Sequence, residues 1–405
     1  MGKQSTPSIE KKEELFGPDL LAEGLRGKIR EMILALVEEE LLDVLSARPY
    51  ERCEGRRGYR NGDSKPKQLS TGLGRIQIEL PRARLKTAEG EKEWQSRFFS
   101  RYQRRSASVD AALIGAYLSG ANQRRIKGAL SALLRGAPLS KSAISRVVGR
   151  LKSLFEAWRS RSLKEERIEI LYFDAIALRV RIAKKVVSAP VLVALGVLKD
   201  GQKRVLDLEL LTSESTSAWG GFLCGLTGRG LQRPQLCVID GNKGLRAAVE
   251  ESWPAVLVQR CVVHKLRNLE RYIPKHALEE MREDFHRITE ADGLASAEKA
   301  YTAFIAKWEK QAPKVADSLQ EAAEELLTFY RFPKSQWKSL RTTNAIERLN
   351  GEFRRRVKTQ GSLPNAQAAE LLLFGLLATN QIRMRRIDGW QQLGEIAEGL
   401  TPKAA

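Results

Sequence analysis

Three carboxylates in this sequence sit where a carboxylate needs a reason. Asp174 follows the apolar run Ile170-Leu-Tyr-Phe173, which reads as a strand, and burying an unpartnered carboxylate there would be costly. Asp240 ends the run Cys237-Val-Ile239 and is followed by Gly241, which puts it at the carboxyl edge of a parallel sheet, where ligands of α/β folds gather. Glu347 stands on a helix whose apolar face is Ile346, Leu349, Phe353 and Val357, while Glu347, Asn350, Arg354 and Lys358 line another face. Three convergent carboxylates can hold two Mg²⁺ or Mn²⁺ ions. Such a pair suits phosphodiester chemistry, because one ion activates the attacking oxygen while the other stabilises the leaving oxygen. Each acid also has a plainer reading: Asp240 as the cap of the next helix, and Glu347, three residues after Asn344, as the glutamate of a capping box.

The elements that would carry these acids form a recognisable order. Residues 168–182, 186–198 and 204–211 are three consecutive strand-like runs, with Lys199-Asp-Gly-Gln as a turn between the second and third. A helix over 215–228, a short buried strand over 236–239, a helix over 243–253, a strand over 256–258 and a further helix follow. Three antiparallel strands and then α/β crossovers predict an α/β RNase H-like catalytic core, a mixed sheet flanked by helices. Residues 278–329 are helical and strand-poor, which predicts an all-helical insertion, and a last helix over 344–358 returns to the core. About a hundred positions separate Asp240 from Glu347, too many for a minimal sheet-to-helix connection.

The half before the core is basic and mostly helical. Residues 1–17 read as a disordered lead, and apolar residues recur at helical spacing from Leu20 to Leu45. Residues 50–84 are rich in Arg, Gly and Lys, and 76–80 alternates as a strand that Pro81 stops, so a small basic subdomain with a hairpin is expected. Two helical stretches, 110–134 and 140–158, flank Gly136-Ala-Pro138 and resemble a helix-turn-helix. In the second, Ile144, Val147, Val148, Leu151 and Phe155 form the apolar stripe, leaving Lys141, Ser142, Ser145, Arg146 and Arg150 to reach phosphates or base edges.

Composition favours a polyanionic partner. Lys and Arg outnumber Asp and Glu 69 to 49, giving +20 and a pI near 9.9. Apolar stretches such as 189–198 and 371–378 fall well short of the roughly 18–20 residues that span a bilayer, so nucleic acid is expected rather than a membrane. The first residues lack the apolar core of a signal peptide, and Cys53, Cys224, Cys237 and Cys261 form no CxxC pair, so free thiols in a reducing, cytoplasmic setting are expected. Cys261 and His264, three apart, can face one way, but no second Cys/His pair completes a four-ligand zinc site.

Three stretches make the pattern specific: Asp240-Gly-Asn-Lys-Gly-Leu245, Gln259-Arg-Cys-Val-Val-His-Lys-Leu-Arg-Asn268 and Arg341-Thr-Thr-Asn-Ala-Ile-Glu-Arg-Leu-Asn350. They closely resemble signatures of the mutator-type insertion-sequence transposases of bacteria, a family of the DDE superfamily. Gly58-Tyr-Arg-Asn-Gly62, Pro81-Arg-Ala-Arg84, the helix-turn-helix over 140–150, and Trp219 with Arg229-Gly-Leu231 extend the resemblance through most of the chain. The resemblance implies that Asp174, Asp240 and Glu347 are the catalytic, metal-binding triad, with two Mg²⁺ or Mn²⁺ per active site. It implies that Cys261, His264, Arg267, Asn268, Asn344, Arg348 and Asn350 support the acids or touch the DNA end. DNA contacts are expected from Arg56, Arg57, Arg60, Asn61, Lys141, Ser142, Ser145, Arg146, Arg150, Arg354 and Lys358. The partners implied are the terminal inverted repeats, target DNA and at least one further copy of the chain, in association with the bacterial nucleoid.

The expected organisation is a helical and basic hairpin region (1–108), a helix-turn-helix-like domain (109–163), a first part of the core (164–272), the helical insertion (273–340), a last part of the core (341–385) and a tail (386–405). The competing functions are a DNA-binding regulator without catalysis, which has no need of the three acids, and a nuclease or Holliday-junction resolvase, which would cut without joining.

Overall fold

The computed structural model describes residues 20–100, 102–118, 141–379 and 381–394. The chain divides into two compact units, 1–150 and 151–405.

In the first unit, α1 (Leu20–Leu45) lays Leu41 and Leu45 against Ala83, Leu85 and Trp94, and Ile29 and Ile33 against Leu69, Ile76 and Ile78. Among the described residues, the strand expected over 76–80 is one of five. Strand β2 (Lys67–Thr71) pairs antiparallel with β3 (Gly74–Ile78), while β4 (Pro81–Thr87) lies between β1 (Gly58–Asp63) and β5 (Gly90–Glu93). Strand β3 ends at Ile78, and Pro81 opens β4, at a first-residue position where its missing N–H costs the ladder nothing. Glu40, buried on α1, accepts hydrogen bonds from the Ser96 hydroxyl and the Arg97 amide, so its carboxylate ties the helix to the segment after β5. Helix α2 (Ala107–Leu118) packs Val109 and Leu113 on Val147 of α3 (Lys141–Ser160). The turn expected between two such helices, including Gly136-Ala-Pro138, lies outside the described residues.

The second unit is built on a five-stranded sheet. Strands β6 (Ile168–Ile182), β7 (Lys185–Leu198) and β8 (Lys203–Leu210) are an antiparallel meander, and β9 (Leu236–Ile239) and β10 (Leu257–Arg260) add parallel strands beside β6, giving the order β10-β9-β6-β7-β8. The central strands are near-continuous apolar runs because both faces are covered. Helices α4 (Thr216–Gly228) and α5 (Lys243–Ser252) supply Trp219, Phe222, Leu223, Leu245 and Val249 to one core with Phe173, Ile239 and Trp253. The Trp219 and Phe173 rings pack edge to face with their centroids 6.2 Å apart.

After α6 (Val262–Leu269) the chain leaves the sheet for α7 (Leu278–Thr289), α8 (Leu294–Gln311) and α9 (Pro313–Ala322). Met281, Phe285, Phe304, Trp308, Val315 and Leu319 bury this helical segment, and Asp284 accepts bonds from Lys307 and the Trp308 indole. A run of short turns and α10 (Trp337–Leu340) leads back to α11 (Asn344–Val357). The return is tied to the sheet edge: Thr328 donates to the Val258 carbonyl (2.7 Å), and Gln259 accepts from the Phe329 amide and donates to the Leu326 carbonyl. A final helix, α12 (Ala366–Ala378), is capped by Asn365 and buries Leu371, Leu372, Leu373 and Leu376. Its residues had stood out in the sequence only as an apolar run. Among the described residues, no helix is long and apolar enough to cross a membrane.

Candidate active site

Each acid arrives on a different element. Asp174 interrupts β6 between the buried Phe173 and Ile176 and is itself half-buried; its carboxylate accepts from the Ala175 amide (2.9 Å) and from the Asn350 side-chain amide (2.7 Å). Burial pushes its pKa up to about 6, and the nearby Asp240 charge adds to the effect against the opposing pull of these hydrogen bonds and of His264.

Asp240 follows β9 directly. Its Oδ1 accepts from the Gly241 amide (2.7 Å) and the Asn242 amide (2.9 Å), with Gly241 at φ +142, in the region that favours glycine. Capping of α5 falls to Asn242, whose Oδ1 accepts from the Leu245 amide at 3.0 Å. The capping role that rivalled a functional one for Asp240 thus belongs to its neighbour.

Glu347 is likewise not the glutamate of a capping box. Thr343 occupies the N-cap of α11, which moves Glu347 one position further into the helix, and its Oε1 accepts from the Thr343 hydroxyl at 2.9 Å rather than from a cap amide. Asn350, one turn on, is fully buried and reaches across to Asp174, so α11 delivers Glu347 and fixes Asp174 at once.

His264 links the three. Its Nε2 lies 3.3 Å from Glu347 Oε1, it feels the charges of Glu347 and Asp240, and Asp174 feels the charge of His264. A hydrogen bond with Cys261, strengthened by the surrounding negative charges and opposed by burial, raises the His264 pKa to about 9. Burial resists ionisation of the Cys261 thiol, yet bonds with His264 and Thr343 outweigh it and hold the pKa below the ordinary thiol range. Thr343 binds both ends of this cluster: its amide and hydroxyl lie 3.3 and 3.2 Å from Cys261 Sγ, and the hydroxyl lies 3.4 Å from His264 Nδ1. The Cys261 amide donates to the Ile239 carbonyl and the Val262 amide to the Arg341 carbonyl, which pins the start of α6 between β9 and the entry to α11. Among the described residues, Cys261, His264 and Glu347 bring three potential ligand atoms within 4.8 Å of one another. The sequence paired Cys261 with His264; the third donor comes from the far side of the helical segment.

One carboxylate near the site escaped the sequence reading. Glu214, just before α4, has its pKa raised by burial and by Asp240, against a hydrogen bond with Asn242. Its only sequence signal was an acidic residue between serines ahead of a helix, which reads as ordinary capping chemistry.

The remaining expected residues disperse. Arg267 is exposed and Asn268 half-buried on α6, while Asn344 and Arg348 are exposed on α11. Arg348 and Asn344 line a cavity of about 570 Å³ together with Lys203, Lys338, Arg355, Arg356, Arg383, Arg385 and Arg386, against only Glu352 and Asp388 of opposite charge. Burial and then repulsion from Arg348 hold the Lys203 pKa below the ordinary lysine value, the electrostatic mark of a cationic groove. Arg354 is exposed on α11, and Lys358 is exposed just past its end. The first unit is mixed: Arg57 and Asn61 are exposed, whereas Arg56 donates to the Gly58 and Glu51 carbonyls and Arg60 pairs with Glu38. Ser145, Arg146 and Arg150 are exposed on α3; Lys141 and Ser142 begin that helix, and their side chains lie outside what is described.

Comparison with known proteins extends across nearly the whole chain. Residues 3–385 match the family described as "Transposase, Mutator family". The transposase for insertion sequence element ISRM5 of Rhizobium meliloti is 34% identical over 89% of this chain and 88% of its own. The transposase for IS256 in transposon Tn4001 of Staphylococcus aureus is 31% identical over 84% and 86%, and that for IS1081 of Mycobacterium tuberculosis 31% identical over 95% and 91%.

Proposed function

The chain belongs to the Mutator family of transposases, and we propose that it binds the terminal inverted repeats of an insertion sequence and catalyses metal-dependent DNA strand cleavage and strand transfer at Asp174, Asp240 and Glu347. The observation that supports this reading is that Asp174, held by Asn350 of α11, lies within electrostatic reach of Asp240 and of His264, whose Nε2 stands 3.3 Å from Glu347. The strand order β10-β9-β6-β7-β8, three antiparallel strands followed by two parallel ones, supports an RNase H-like core with the helical segment inserted between the second Asp and the Glu.

The donor set fits a pair of hard divalent cations. It is all oxygen, and Asp174 carries a pKa near 6 because it is half-buried beside Asp240, a situation that a bound cation relieves. When bound, Mg²⁺ or Mn²⁺ would activate the attacking oxygen and stabilise the leaving one. The protein's own groups do the positioning. The Gly241 and Asn242 amides orient Asp240, Asn350 orients Asp174, and Thr343 orients Glu347. The cationic groove beside α11 neutralises backbone phosphates, which holds DNA against the helix that carries Glu347.

The test is incubation of the full-length protein with a labelled terminal-repeat duplex and Mg²⁺ or Mn²⁺, with cleaved and joined products sequenced. Cleavage and joined ends are expected from the wild type, and an unchanged duplex shift without cleavage from Asp240→Asn. Cleavage without any joined product would point to a nuclease or resolvase instead, and normal cleavage by Asp240→Asn would remove that residue from the site.

A further inference from the structure

We propose that Cys261, His264 and Glu347 form a binding site for a thiophilic divalent cation of the zinc class, and that this cation, by taking Glu347, excludes hard cations from the acidic site. The geometry carries the first half. A tetrahedral zinc bound through one sulfur, one imidazole nitrogen and one carboxylate oxygen sets its ligand atoms roughly 3.3–3.6 Å apart. His264 Nε2 and Glu347 Oε1 already stand 3.3 Å apart, and all three donor atoms fall within 4.8 Å of one another. Three protein ligands with a fourth position left to water is the arrangement of open zinc sites, as distinct from closed structural ones.

The surroundings suit such a site. Cys261 is wholly buried, so its sulfur is shielded, while the His264 and Glu347 side chains are each 28% exposed, which leaves a path for an ion. Thr343 contacts Cys261, His264 and Glu347 alike, the kind of outer partner that orients metal ligands. The two constellations share one carboxylate but differ in hardness: Asp174 and Asp240 add oxygen donors on one side, and Cys261 and His264 add sulfur and nitrogen on the other. The proposed exclusion consists in the thiophilic cation drawing Glu347 towards Cys261 and His264 and away from Asp174 and Asp240, rather than in the carboxylate bridging two ions. The exclusion half rests on the reading of the acids as a hard-cation site; the binding half does not.

The experiment is titration of the full-length protein with Co²⁺, in a background where the exposed Cys53 and Cys224 are replaced by Ser. A sulfur-to-cobalt charge-transfer band with the intense visible bands of four-coordinate cobalt is expected at one equivalent. Zn²⁺ should abolish it by displacement. The band should vanish in Cys261→Ser, weaken at least tenfold in apparent affinity in Glu347→Gln and His264→Asn, and persist in Asp174→Asn. Absence of the band from the background protein, or its survival in a folded Cys261→Ser, overturns the site; if that variant does not melt cooperatively, His264→Asn decides in its place. Bound Mn²⁺, followed by its paramagnetic signal, should be released as Zn²⁺ is added. Mn²⁺ that stays bound overturns the exclusion, whereas Mn²⁺ that never binds sinks the acidic-site reading while the cobalt band still judges the thiol site.

Discussion

At the level of single residues, the arrangement around Asp174 makes two predictions. Asn350 is fully buried and gives its amide to Asp174, while among the described residues its own Oδ1 finds no hydrogen-bond partner. Asn350→Ala should cost about 1.5–3 kcal/mol, the range for a hydrogen bond to a charged group, and should also lower cleavage, because Asp174 loses its orientation. Urea melts and a cleavage assay check the two halves, and an unchanged cleavage rate would make Asn350 purely structural. The second prediction concerns pH. Asp174 has a folded pKa near 6 against an ordinary value of 3.8, so its contribution to stability is full below 3.8 and is lost as pH rises through about 6. A divalent cation reverses that loss by pairing with the ionised carboxylate. The rise in melting temperature on adding Mn²⁺ should therefore be larger above pH 6 than well below it, and an equal rise at both would mean that Asp174 does not take part.

The elements that carry these residues depend on tight turns at the sheet edge. Gly241 sits at φ +142, and a Cβ there would stand 3.0 Å from Arg260 Nη1. Arg260 cannot swing aside freely: it is buried and pairs with Glu321 and Glu325, which also hold Lys265 and Arg246. Gly241→Ala should destabilise the protein by about 1–3 kcal/mol and displace Asp240, read as a lower melting temperature with a disproportionate loss of cleavage. Most of this architecture was legible beforehand. The runs 168–182 and 236–239 matched their strands because apolar alternation and a short buried run bounded by turns leave little freedom, and the helices α7 to α9 were announced by strand-poor sequence. The capping of the elements that carry the three acids was not. Asn344 and Asp240 are as good caps by residue type as Thr343 and Asn242, and only the fold decides which of two neighbours takes the cap. The third neighbour of Cys261 and His264 was invisible for another reason: Glu347 reaches them only because the segment after α9 is hydrogen-bonded back along β10.

Across the second unit, positive charge is gathered in one groove. The groove beside α11 sets eight Lys and Arg side chains against two acids, and the Arg383-Met-Arg-Arg386 part of it was missing from the residues expected to touch DNA, because it follows α12 in an irregular stretch with no periodic signal. Replacing Arg383 and Arg385 together with Gln should weaken DNA binding about equally for specific and unrelated duplexes. The slope of log affinity against log salt should fall by about 1 for each lost phosphate contact. A change confined to the terminal-repeat sequence would instead make these residues base readers. The central claim, that Glu347 works as a metal-holding carboxylate of a strand-cutting site, is tested most directly on the whole protein by Glu347→Gln. The amide keeps the shape and can still accept from Thr343, so a structural role alone would survive within about 0.3–1 kcal/mol. The measurement pairs thermal melting with cleavage of a terminal-repeat duplex in Mg²⁺. A melting temperature close to wild type with cleavage abolished is the predicted result, and cleavage comparable to wild type would contradict it.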